Sequence, residues 1–458
     1  MILENVVSDA RDRAAARWDI EVRDGYAHSI QPSGASSETP PQLLLPPLCH
    51  PHIHLDKAYL LTCNNKSSPQ HPDYSDLCPT SGSFDEALAN TSRAKERYTP
   101  EDLYLRGSQL LATSYTQGVT SMRAFVELDH VTGTLPLTTA IRLKKDFSHL
   151  LELQICAFAQ DPIFSTTHGD ENRNIIEGAL VEFADSIEAL GTTPYVETSR
   201  DASLSNIEWA ITTALKHNLH LDFHLDYTLD PPSSSPSQKP LIYSVLDFLD
   251  RHKWAQIANK TKTIVIGHCT RLSVLEDAER KALAEAVIAS KLPIHFVGLP
   301  TSDLFMMGRP DHDSTSSHNR PRGTIHVPSM ITELGLSACF GVNNVGNAFT
   351  PYGTGDPLQL ASWAVGIYQV GTSREAKLLY ECVSARARQA IGLDGGEPWG
   401  PIDEGHKLHG MLLLKNERVI ELPGALGSPS MAVAARQRLS IQDVVWDPPE
   451  NSLRSVLR

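Results

Sequence analysis

From about residue 43 to residue 341 the sequence alternates short apolar runs with amphipathic segments, and this alternation limits the folds open to it more than any other feature. Runs at 43–49, 119–126, 151–158, 193–196, 220–223, 263–267, 293–297 and 337–341 read as strands. Segments at 100–117, 174–190, 203–217, 242–259 and 273–291 carry the helical period between them. Strands separated by helices in this way specify an α/β fold, and eight of them suit a (β/α)8 TIM-type barrel, placed here at 43–392. An open doubly wound sheet is the competing arrangement, but no glycine-rich phosphate loop follows the first strand.

The two ends of the chain read differently. MILENV is a strand, and WDIEVRDGYAHSI is a hairpin turning at Asp24-Gly25, followed by the polar linker QPSGASSETPPQ. Beyond Gly392, HGMLLLK and SIQDVVWD are strand-like. Residues 1–42 and 393–458 are therefore expected to form a small, discontinuous β-sandwich-like accessory domain. Three long irregular stretches, 63–82, 230–240 and 303–328, follow strand ends, where loops of that length are commonly functional. The last carries Arg309, His312, His318, Arg320 and Arg322, whose guanidinium groups suit a carboxylated substrate; a solvated basic loop is the plainer reading.

A formal charge of -14 with no basic run argues against nucleic acid or an anionic membrane as partner. No apolar stretch is long enough to span a bilayer, and the first residues are too polar for a secretory signal. The seven cysteines are scattered without a C-x-x-C pair, so they are expected to be reduced thiols, mostly in the core, of a cytoplasmic protein. A small-molecule substrate is the expected partner, and a homo-oligomer is compatible with the sequence.

The chemistry concentrates in LLLPPLCHPHIHLDK. In a strand His52 and His54 share a face, so both imidazoles can meet one ion while Ile53 packs behind them. A catalytic site needs about three protein ligands and an open position, and imidazole suits zinc first and iron second. A His-rich turn is the bland alternative. His224 follows LHLDF and His268 follows TIVIG, both at the same end of the expected barrel. Either alone would be a half-buried histidine satisfied by backbone, but together the four point to a metal site.

PHIHLD at 51–56, LQICAFAQ at 153–160, the His224 and His268 segments, PRGT at 321–324 and CFGVNNVGNAFTPYGTGDPLQL at 339–360 together resemble the amidohydrolase superfamily, in its cytosine deaminase-like branch. The resemblance implies that His52, His54 and His224 hold one divalent metal, zinc or iron, and that His268 orients the attacking water. It also implies that Gln160 reads the amide edge of a heterocycle, a capping role being its plainer alternative. Two departures stand out. The branch has His-Cys-Asp-Glu after the fifth strand, where this chain has His224-Leu225-Asp226-Tyr227, and Gly-His-Asp-Asp at the eighth, where this chain has Gly341-Val342-Asn343-Asn344. An asparagine oxygen can touch a metal, but its amide is no base near neutral pH, and a general base contributes a factor of about 10² to 10⁴.

Asp226, Asp56, Glu127 and Asp230 all fall near expected strand ends and are candidate replacements, as is Tyr227 as a proton donor. Asp226 either moves the proton or orients His268. Lys57 either binds a substrate carboxylate or forms a surface salt bridge. The expected activity is metal-dependent hydrolysis of a non-peptide C–N bond in a cyclic amide or aminoheterocycle, with Tyr227 arguing against cytosine itself. The alternatives are a metal-dependent lyase, isomerase or cyclase on the same barrel, and a catalytically silent ligand-binding barrel.

Overall fold

The computed structural model describes residues 1–7, 17–34, 39–230, 239–308, 323–394, 402–426 and 428–458. Arg309, His312, His318, Arg320 and Arg322 lie outside the described residues, as do residues 231–238 of the second irregular stretch. The chain opens with β1 (Ile2–Val7), β2 (Trp18–Arg23), β3 (Tyr26–Pro32) and β4 (Gln42–Leu45). The β2–β3 turn is at Asp24 and Gly25, whose φ values of 50° and 81° suit a tight hairpin turn that glycine enters without strain.

Eight strands then make a parallel sheet in sequential order: β5 (Leu48–His54), β6 (Val119–Glu127), β7 (Glu152–Ala159), β8 (Ala189–Thr192), β9 (His220–Leu225), β10 (Ile264–His268), β11 (Ile294–Gly298) and β12 (Ala338–Phe340). The ends meet just past β12: Asn343 donates its N–H to the His52 carbonyl (3.0 Å) and accepts from the His54 N–H (2.8 Å). That clasp brings the last strand of the barrel against the first, at the rim where both histidines sit. The helices lie outside; the one at Pro100–Gln117 begins at the Thr99 cap and stops at Gly118 (φ 98°), as its sequence signals predict.

The C-terminal part adds β13 (Leu412–Leu414), β14 (Val419–Leu422), β15 (Met431–Ala434) and β16 (Arg454–Val456). A six-stranded mixed sheet forms in the order β16-β13-β4-β1-β2-β3, so strands from both ends of the chain share one accessory layer, while β14 and β15 make a separate ribbon.

Three expectations about elements are corrected. The run at 43–49 is two strands: Pro46 and Pro47, which have no N–H to donate, break it, so Leu43–Leu45 pair with β13 in the accessory sheet and the barrel strand starts at Leu48. The fourth barrel strand is Ala189–Thr192, and Pro194–Val196 is a 3-10 turn; the helix expected at 174–190 ends at Glu182, leaving only four residues of strand to reveal themselves. SIQDVVWD holds a helix, Ile441–Trp446, in which Ile441, Val444 and Val445 are buried at helical spacing and Ser440 caps the Asp443 N–H.

Alternation inside the barrel strands sets the interior. On β9, Leu221, Phe223 and Leu225 face the helix layer, while His220, Asp222 and His224 rise through the barrel one above another. On β6 and β7, Arg123 and Gln154 lie low, Phe125 and Cys156 above them. Arg123, fully buried, bonds Asp222 (3.0 Å), Gln154 and the Ile391 carbonyl, closing the floor with a paired polar layer.

Candidate metal centre and active site

The histidine pair owes its aim to an irregularity. Between His50 and Ile53 the β5 ladder slips by one residue against β6. Cys49 faces the barrel interior and His50 faces outward to Ser114 of the Pro100–Gln117 helix (3.3 Å), so a regular strand would send His52 outward as well. The extra residue at Pro51–His52 reverses that, and His52 and His54 turn inward while Ile53 packs in the outer core. Two glycines make room. A Cβ on Gly267 would stand 3.1 Å from His52 Cε1, and one on Gly341 would stand 3.1 Å from His52 Cβ and 2.8 Å from Leu299.

His52, His224 and His268 bring one ring nitrogen each within 4.8 Å of one another, and His52 Nε2 is 2.7 Å from His224 Nε2. The His54 ring stacks on His224 at 5.4 Å between centroids and stands 5.7 Å from His52. All four are buried. Burial, with the neighbouring rings and Lys57 adding to it, lowers the pKa of His52, His54 and His224 well below the ordinary range, so the rings are neutral, the form that binds a cation. The Nε2 atoms of His52 and His224 face each other at 2.7 Å, an approach of two neutral imidazole nitrogens that a shared cation satisfies. The donor set thus fits a divalent metal, with His52, His224 and His268 close enough to share it and His54 stacked beside them.

Carboxylates support the rings from behind. His268 Nδ1 lies 2.8 Å from Asp303, whose other oxygen accepts from Thr324 Oγ1 (3.1 Å) and the Leu299 N–H (3.3 Å). That bond fixes the Nδ1–H tautomer and leaves Nε2 for the cavity. His52 Nδ1 is 3.8 Å from Asp222, which burial raises to about 7 against the pull of Arg123. Asp303 and Asp222 were not singled out from sequence: one opens an apparent loop, and the other looks like one polar residue among many in an alternating strand.

The candidate residues separate clearly. His54, Lys57, Gln160, His224, Tyr227, His268 and Asn343 line one small cavity of about 20 Å³ that opens to solvent. Tyr227 lies 4.1 Å from the His268 ring between centroids, and burial raises its phenol well above the ordinary range, so it keeps its proton. Asp226 departs from expectation. Its backbone turns left-handed (φ 48°) and its carboxylate accepts from the N–H groups of Leu241 and Ile242 (2.9 and 3.2 Å), anchoring the helix Leu241–Arg251. It neither faces the cavity nor orients His268. Among the described residues Asp230 bonds its neighbour Thr228, and it is exposed.

Lys57 forms no surface salt bridge. It is 1% exposed, 2.5 Å from Glu127 and 3.3 Å from Gln160 Oε1. Glu127 is shared with the equally buried Lys95, which also meets Asp129 (2.7 Å) and Asp161 (3.2 Å). Burial disfavours the Glu127 charge, but the two ammonium groups outweigh it and hold its pKa below the usual carboxylate range. Asp56 accepts from the Glu127 N–H (3.0 Å), and burial with the nearby Glu127 charge raises it to about 6. Asp56 and Glu127 therefore stand behind the cavity wall, and among the described residues no carboxylate lines the cavity itself.

The sequence matches no family model and no curated protein. Its structure is similar to solved ones. A 5-methylcytosine deaminase from Klebsiella pneumoniae liganded with 5-fluorocytosine superposes with a TM-score of 0.74 at 20% identity, covering 100% of this chain and 94% of that one. An N-isopropylammelide isopropylaminohydrolase from Burkholderia multivorans gives 0.66 at 19%, covering 98% and 94%. A zinc-bound adenosine deaminase from Xanthomonas campestris gives 0.53 at 15%, covering 89% and 82%. The full-length superposition shows that this chain shares the fold of these solved structures, an eight-stranded parallel barrel with an accessory sheet built from both chain ends.

Proposed function

We propose that this protein is a metal-dependent hydrolase acting on a non-peptide C–N bond of a small cyclic amide or aminoheterocycle. The observation that carries this reading is the convergence of buried imidazoles from β5, β9 and β10 at the carboxyl rim of the barrel. His52, His54 and His224 would hold one zinc or iron ion, with Asn343 Oδ1 beside them. Such an ion would supply the positive charge that lowers the pKa of water and polarises the scissile carbon. His268, its tautomer fixed by Asp303, orients the attacking water through Nε2 and takes up its proton in place of the missing carboxylate. Tyr227, protonated and packed on His268, delivers a proton to the leaving nitrogen. Gln160, held by Lys57, positions the ring. The similar solved structures named as deaminases and an aminohydrolase support this class of reaction.

Metal analysis and isotope labelling test the reading. The purified, reconstituted protein is expected to hold one first-row metal ion per chain, and His52→Ala and His224→Ala to lose it. Turnover of lactams or aminoheterocycles in ¹⁸O-labelled water is expected to place the label in the product. A second reading, a metal-dependent lyase, isomerase or cyclase, is favoured by the cavity's lack of a lining carboxylate among the described residues. Turnover without label incorporation would establish it, and a chain that binds no metal would be the silent barrel.

A further inference from the structure

We propose that the substrate is a planar ring whose edge away from the metal is rich in hydrogen-bond acceptors, such as paired carbonyl oxygens or a deprotonated imide. The proposal rests on the reading above that the site takes a small ring, and it follows from amide orientations that the surrounding backbone leaves no freedom to reverse. Asn347 accepts from the N–H groups of Phe349 and Thr350 (3.0 and 3.2 Å), so its oxygen lies on that side and its nitrogen on the other. That nitrogen donates to the Lys57 carbonyl (3.1 Å) and therefore also to Asn344 Oδ1 (2.8 Å). With its oxygen committed, Asn344 offers a ligand its amide hydrogens.

The same logic fixes Gln160. An ammonium only donates, so the group 3.3 Å from Lys57 Nζ must be the Gln160 oxygen; one Gln160 amide hydrogen meets the Tyr195 hydroxyl, and the other is what remains for a ligand. Lys57 has three N–H groups, and Glu127 and Gln160 occupy two. Lys57, Gln160 and Asn344 all line the metal-side cavity, where no carboxylate stands among the described residues. Asp56, Glu127 and Asp303 lie close by but are turned to the Glu127 N–H, the two lysines and His268.

An amino-substituted edge would meet this wall donor against donor and leave buried N–H groups unpaired, whereas carbonyl oxygens satisfy them. The asparagine at 344, where the branch it resembles has aspartate, is thus an acceptor changed into a donor.

Titration calorimetry of the zinc-loaded protein with two rings of equal size tests this: barbituric acid, with three carbonyl groups, and 2,4,6-triaminopyrimidine, with three amino groups. Barbituric acid is expected to bind at least about tenfold more tightly, and to keep that preference in the metal-free protein. Asn344→Asp and Gln160→Glu retain the inward bonds from Asn347 and Lys57 while exchanging donor for acceptor, and each is expected to erase the preference. Should a charge variant fail to fold, Gln160→Met, which removes the donor without adding charge, is expected to weaken barbituric acid alone. Equal or tighter binding of the triamine, no binding of either ring, or a preference indifferent to these substitutions overturns the proposal. Selective binding by a chain that lacks stoichiometric metal or hydrolyses nothing would sink the assignment as a hydrolase and leave the donor wall standing.

Discussion

His268 can aim one nitrogen into the cavity only because Asp303 holds the other at 2.8 Å. Groups in this position behind a metal-site histidine commonly contribute a factor of 10 to 100. Asp303→Ala is accordingly expected to cut turnover by about 10- to 100-fold, with the circular dichroism of the chain unchanged; an unaltered kcat would show that His268 needs no such partner. Gly267 acts on His52 by absence. Its alanine variant would put a methyl group 3.1 Å from Cε1 and 3.3 Å from Nδ1 of that ring. Because strand and neighbours fix His52, the expected result is weaker zinc retention against a chelator in a folded protein, and equal retention would mean that the ring can yield.

Among the elements, β5 and the helix Phe84–Lys95 do most to build the site. The slip in the β5 ladder turns two histidines inward, and the clasp by Asn343 holds that rim closed. The helix ends in Lys95, whose ammonium meets Glu127, Asp129 and Asp161 beneath the cavity wall. Burial opposes the Lys95 charge, but Glu127 and the two aspartates overcome it and raise its pKa well above the ordinary range. Removing the cation from such a cluster strands buried carboxylates, so Lys95→Met is expected to lower the unfolding free energy by about 3–5 kcal/mol. Urea titration measures it, and a loss below about 1 kcal/mol, the scale of an exposed pair, would show the cluster to be solvated.

For the whole molecule, the number of buried neutral histidines makes stability depend on pH. Burial lowers His50 to about 3 and His220 to about 2, from an unfolded value of about 6.5, and the three cluster histidines shift the same way. A base depressed in the fold stabilises it above its unfolded pKa and loses that contribution as pH falls toward the folded value. Asp222 runs oppositely: raised to about 7, it favours the fold when protonated and offsets part of the loss between pH 7 and 4. With these five histidines and His295, lowered to about 4, against the raised carboxylates Asp222, Asp56, Asp226, Asp303 and Asp161, the metal-free protein is expected to lose about 1–3 kcal/mol per pH unit below pH 6.5. Constant urea midpoints from pH 7 to 5 would contradict this. No helix of the described residues is long and apolar enough to cross a membrane.

The barrel, the hairpin at Asp24-Gly25, the helix Pro100–Gln117 and the four histidines were legible in the sequence, because periodicity, turn residues and ligand spacing are local properties of a chain. So was the core placement of most cysteines: five of the seven are buried. The fourth strand was not, since four residues carry too little period to be distinguished from a helix end. Nor could sequence choose among Asp226, Asp303 and Asp222. Which carboxylate stands behind which imidazole, that Lys57 is buried, and that Gln160 turns its oxygen to Lys57 are consequences of contacts between residues tens to hundreds of positions apart, and the tertiary structure alone decided them.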